Sequence, residues 1–72
     1  IVEEKQTVNM VKKLADTLPE KQKAAFILRE IQGYSYLEIS EIMDVPINQV
    51  KVNIHRARKS IKEELQKQLS YE

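Results

Sequence analysis

Asn48, Gln49 and Lys51 stand within four residues of one another, and Arg56, Arg58 and Lys59 follow one to two helical turns later. Groups in that order suit duplex DNA. An Asn or Gln amide pairs bidentately with adenine, a Lys donates to guanine, and an apolar side chain such as Ile47 or Val52 covers a thymine methyl. Cations further along meet phosphate, a use that also fits His55. From Val45 to Lys62 there is no acid, and Lys51, Arg56, Arg58, Lys59 and Lys62 give the stretch a charge of +5. Residues 1–44 carry six Lys or Arg against eight Asp or Glu, a balance of −2, so the net charge of +1 conceals an uneven distribution. A basic stretch of this kind is the electrostatic footprint of a nucleic-acid contact. Its plain alternative is a solvated helix face that happens to be basic.

Other chemistry has few residues to work with. There is no cysteine and one histidine, so neither a disulfide framework, a thiolate metal site nor a zinc site is expected. Nothing pairs a nucleophile with a base, and no carboxylate cluster is placed for metal chemistry, so an enzyme is not expected and no cofactor is called for. Seventy-two residues suffice for one small domain with one core. No apolar run approaches the roughly 18 residues of a membrane span. Ile1 is neither an initiator methionine nor the start of a signal peptide. The chain reads as a piece of a longer one, residues 1–72 making a single domain.

Helix formers dominate, no alternating run competes for a strand, and the fold class expected is all-α. Val8, Val11, Ala15 and Leu18 recur at helical spacing and predict a helix over about 3–16. Leu18-Pro19 ends it and opens a second over about 20–32, with Ala24, Ile27, Leu28 and Ile31 as its inward stripe and Gly33 as its stop. Ser35-Tyr-Leu-Glu38 is a capping box, so a short third helix runs over 36–43 with Ile39, Ile42 and Met43 inward and Ser40 at a close approach. Asp44-Val45-Pro46 breaks the chain again, because a residue before proline is pushed out of the α region. A fourth helix then runs over about 47–69. At about 100° per residue, Val50, Ile54, Ala57 and Ile61 fall within about 40° of each other and define its buried face.

A short helix, a tight turn and a longer basic helix form a helix-turn-helix pattern, here without a wing. Val45 plugs the turn and Val50 anchors the second helix on the first. Asn48, Lys51, Val52, His55 and Lys59 then face away from the core, flanked by Gln49 and Arg56, in position for a major groove. Backbone N–H groups at the start of the third helix, around Ser35 and Tyr36, offer a phosphate clamp, with the Tyr34 hydroxyl nearby. Each assignment has a rival: Asn48 and Gln49 as ordinary polar first-turn residues, His55 as an exposed helix histidine, Tyr34 and Tyr36 as covers over the core edge. Phe26 lies more than 100° off the second helix's stripe and is either a core contact with the first or last helix or part of an apolar docking patch.

Four blocks carry a family resemblance: Leu18-Pro19-Glu20-Lys21-Gln22 with Phe26 and Leu28; Gly33-Tyr34-Ser35-Tyr36-Leu37-Glu38-Ile39; Met43-Asp44-Val45-Pro46; and Val50-Lys51 with Ile54-His55-Arg56-Ala57-Arg58. In these residues the chain resembles region 4, the C-terminal promoter-recognition domain of bacterial RNA polymerase sigma factors, especially the small extracytoplasmic-function type. The resemblance implies binding to the promoter −35 element within polymerase holoenzyme, in the cytoplasm. It implies Ile47, Asn48, Gln49, Lys51 and Val52 as the base-facing set and Tyr34, Ser35, Tyr36 and Arg56 on the DNA backbone. It further implies two protein partners, the β flap of the polymerase core and an anti-sigma factor. Asn48-Gln49 replaces the usual Gly-Thr and Val52-Asn53 the usual Ser-Arg, so base preference does not transfer. Asp44 stands where glycine is common. Two other readings remain: the output domain of a response-regulator or quorum-sensing activator, half-matched by Val50-Lys51-Val52, and an all-α protein-interaction module.

Overall fold

Ser35, Gly33, Asp44 and the two prolines each mark a place where a helix starts or stops. The computed structural model describes residues 2–69, with side chains from residue 9 to residue 68. Val8, part of the first predicted stripe, lies outside those side chains. Four helices follow one another and no strand occurs among the described residues, so the class is all-α with a helix-turn-helix.

Helix α1 runs Val2–Ala15 and closes in a turn where the Thr17 hydroxyl donates to the Leu14 carbonyl at 2.7 Å. Pro19, with ψ 148°, stands just outside α2, Glu20–Phe26, and its carbonyl accepts from the Lys23 amide at 2.9 Å. Its missing N–H costs nothing there. The same helix then widens into a π turn over Ile27–Ile31, where the Gln32 amide reaches back five residues to Ile27 O at 3.0 Å. A π turn advances each residue by less than the α-helical step. Ile31 is therefore carried off the inward stripe on which the sequence places it and is 37% exposed. Gly33 closes the segment at φ +81°.

Helix α3, Tyr36–Met43, opens on the capping box: Glu38 N donates to Ser35 Oγ at 3.1 Å and Ser35 N donates to Glu38 Oε1 at 2.8 Å. Ile39 is buried and Met43 half-buried, but Ile42, expected inward, is 54% exposed. The half-buried Tyr36 and Ser40 explain this correction. Together with Ile39 and Met43 they centre the packed face about 50° to one side of Ile39, and Ile42 lies about 60° to the other side. Asp44 ends α3 in the left-handed conformation at φ 57° and ψ 49°. The turn is tied by Ser40, whose hydroxyl donates to Val45 O at 2.6 Å while its carbonyl accepts from Val45 N at 3.2 Å.

Helix α4, Ile47–Leu69, spans roughly 34 Å at 1.5 Å per residue. Against a longest molecular extent of 41 Å it is the spine of the domain. Its buried side carries two clusters in succession. Val50 and Ile54 pack with Ala25 of α2 and Ile39 of α3, and Leu28, Tyr36, Met43 and Val45 close around them. Ala57 and Ile61 pack with Ala15 of α1 and Phe26 of α2. Phe26 is thus a core residue that joins α1 and α4, and it is Ala25, one position beyond the expected Ala24, that is fully buried.

Candidate nucleic-acid interface

With Val50 and Ile54 turned fully inward, the first turns of α4 must offer their other side chains to solvent. Asn48, Gln49, Lys51 and Val52 are all exposed, Val52 at 45%, and Ile47 stands at the start of the same helix, also exposed. His55, Arg56 and Lys59 continue the exposed surface one and two turns on. The face holds both a donor and acceptor set and an apolar contact, with no carboxylate between residues 47 and 62. A groove-reading helix needs that combination.

The surface is not made by α4 alone. Asn48, Gln49, Val52, Asn53 and Arg56 line a shallow concavity whose remaining wall is Lys21, from the first turn of α2. Lys21 adds a cation that the basic stretch does not contain, and half-buried Asn53 adds an amide at its floor. Neither stands out in the sequence. The available signal is that Lys21 precedes the buried Ala25 by one turn, so it continues the packed face of α2 out over α4.

The residues assigned to the DNA backbone divide. Tyr34 is 37% exposed, and its carbonyl accepts from Arg29 Nη1 at 2.9 Å. Tyr36 is half-buried against the Ile39 cluster, and Arg29 lies over its ring at 4.8 Å to the centroid. At the start of α3 the capping box engages some of the groups assigned to a phosphate clamp. The Ser35 amide donates to the Glu38 carboxylate and the Ser35 hydroxyl accepts from the Glu38 amide. Hydrogen bonding from the Ser35 amide, with a smaller contribution from the Ser35 hydroxyl, lowers the Glu38 carboxyl from its ordinary value. Arg58, also assigned to the DNA backbone, pairs its guanidinium with Glu30 of the π turn. Hydrogen bonding to Glu30, opposed by slight desolvation, raises the Arg58 pKa further.

No group of three or more His, Asp or Glu stands together to hold a metal among the described residues. No helix there is long and apolar enough to cross a membrane.

Comparison with known proteins converges on one family. The family model described as Sigma-70, region 4 matches residues 9–61. The chain is 49% identical over 49 residues to the ECF RNA polymerase sigma-E factor of Haemophilus influenzae, a match covering 68% of this chain and 26% of that protein. With the ECF RNA polymerase sigma-E factors of Escherichia coli and Salmonella typhimurium the identity is 45% over 51 residues, covering 71% of this chain and 27% of each. The matches thus span about a quarter of the length of these curated relatives.

Proposed function

The chain belongs to the sigma-70 region 4 family, and from that membership we propose that it binds the promoter −35 element as the C-terminal domain of an extracytoplasmic-function sigma factor. The observation that carries this reading is the exposed amide, cation and apolar face of α4, held by Val50 and Ile54 and walled by Lys21. Asn48, Gln49, Lys51, Val52 and Ile47 read base edges. Lys21, Arg56, His55 and Lys59 meet phosphate, and the Tyr34 hydroxyl is a further neutral donor. The domain works in the cytoplasm as part of RNA polymerase, docking on the β flap of the core and masked in turn by an anti-sigma factor. It recognises and positions, and supplies no catalytic step.

Family membership draws on an amphipathic helix ahead of Leu18-Pro19, a part of the match that the activator output-domain reading does not use. The test is a set of three substitutions read by fluorescence anisotropy on promoter duplexes. Lys51→Ala changes the ranking of sequences. Arg56→Ala and Lys21→Ala weaken binding evenly across sequences and lower the slope of log affinity against log salt by about one each. If all three leave DNA affinity intact while binding to a polymerase flap fragment falls, the α4 face is a protein-docking surface and the assignment fails.

A further inference from the structure

Arg58 and Lys51 are seven residues apart on α4, so they share one edge of the helix, about 10 Å apart along its axis. Lys51 faces solvent. Arg58, by contrast, donates from both Nε and Nη2 to Oε2 of Glu30 on the π turn, the Nε bond being 3.1 Å long. Around this pair stand Tyr36, which adds a smaller favourable contact to the guanidinium, and Arg29, which is engaged with the Tyr36 ring and the Tyr34 carbonyl. The pair is accessible: 48% of the Arg58 side chain and 33% of the Glu30 side chain remain exposed.

An ion pair so placed adds little to stability, yet it has an electrostatic consequence. Carboxylate and phosphate present the same kind of oxygen acceptors to a guanidinium. A phosphate passing the Lys51 edge must therefore compete with Glu30 for Arg58. We propose that Glu30 withholds Arg58 from the DNA backbone and so lowers the domain's sequence-independent affinity for DNA by about one phosphate contact. This rests on the DNA-binding reading above. Phosphate contacts contribute alike on every sequence, so one cation fewer on the backbone lowers affinity for promoter and random DNA by the same factor and leaves their ratio unchanged.

The experiment uses the 72-residue chain and a random-sequence DNA duplex, titrated over a salt series. Glu30→Gln raises affinity several-fold at low salt and steepens the salt slope by about 0.9, the increment for one more phosphate. Arg58→Gln alone leaves both close to the wild-type values, and the double substitution removes the gain. A gain that survives in the double variant means simple relief of repulsion by Glu30 and overturns the proposal, as does unchanged or weaker binding by Glu30→Gln. Should Glu30→Gln not fold, the Arg58 Nε–H resonance of the wild-type chain decides. It stays at its free position at saturating random duplex if Glu30 holds it, and moves with that of Arg56 if it does not. Arg56→Ala, Lys21→Ala and Lys51→Ala separate the two levels: no effect from any of the three sinks the DNA reading itself, whereas weakened binding without a Glu30→Gln gain sinks only this inference.

Discussion

The Ser35 amide donates to the Glu38 carboxylate, a bond that weakens when that carboxylate takes up a proton. The carboxyl is held below its ordinary value in the folded chain. A depressed carboxyl contributes stability that is fully present above the unfolded-state value, about 4.3 for Glu, and is lost as pH falls through the folded value. Glu38→Gln keeps an oxygen acceptor but cannot ionise. Melting temperatures measured from neutral pH down through the carboxylate range will fall more steeply for the wild type than for Glu38→Gln, and the two curves will converge at the acid end. Parallel curves would mean that the box has no charge-dependent part. The box is legible in four letters because both partners are local. A phosphate at the same helix start would use the first-turn amides around Tyr36, which the box does not engage. Lys21 is the converse case: its role depends on how α2 crosses α4, which no short-range pattern encodes.

Two helix ends rest on left-handed residues, and they are unequal. Gly33, at φ +81°, has no heavy atom within 4 Å of where a Cβ would stand, so Gly33→Ala meets no neighbour and its whole cost is backbone strain. That cost is roughly 1–2 kcal/mol. Asp44 already carries a side chain at φ 57°. Asp44→Gly relieves a similar but smaller strain while adding about 0.5–1 kcal/mol of unfolded-chain entropy, so it stabilises by less than about 1 kcal/mol. Urea midpoints of the two variants should move in opposite directions, the Gly33 shift being the larger. A large loss from Asp44→Gly would show that the aspartate side chain, not the backbone, holds the turn. Breakers, caps and the α4 stripe made the elements readable from sequence. Ile31 and Ile42 were misplaced because a uniform 100° wheel knows nothing of a π turn or of the side from which the neighbouring helix arrives.

At the scale of the whole domain, α4 connects two clusters that share no buried residue: Val50 and Ile54 serve the helix-turn-helix, Ala57 and Ile61 serve the α1 side. Adjacent α2 residues divide likewise, Ala25 to one cluster and Phe26 to the other. A chain of this length has a total stability of about 4–11 kcal/mol. Phe26→Ala removes about 3–5 of that and Ile54→Ala about 2–5. Because both clusters are borne by the same rigid helices, loss of either should lower the protection of the whole. Native-state amide exchange reads this directly. In Phe26→Ala, the amides of Ile39 in α3 and Ala57 in α4 should both exchange roughly 100-fold faster or more, at about 1.4 kcal/mol per tenfold. Affinity for promoter DNA should then fall in proportion to the unfolded fraction, although Phe26 itself is buried. If Ala57 speeds up while Ile39 keeps its protection, the two ends open separately. The helix-turn-helix would then hold its reading face without α1, and the preceding helix would serve partners rather than the fold.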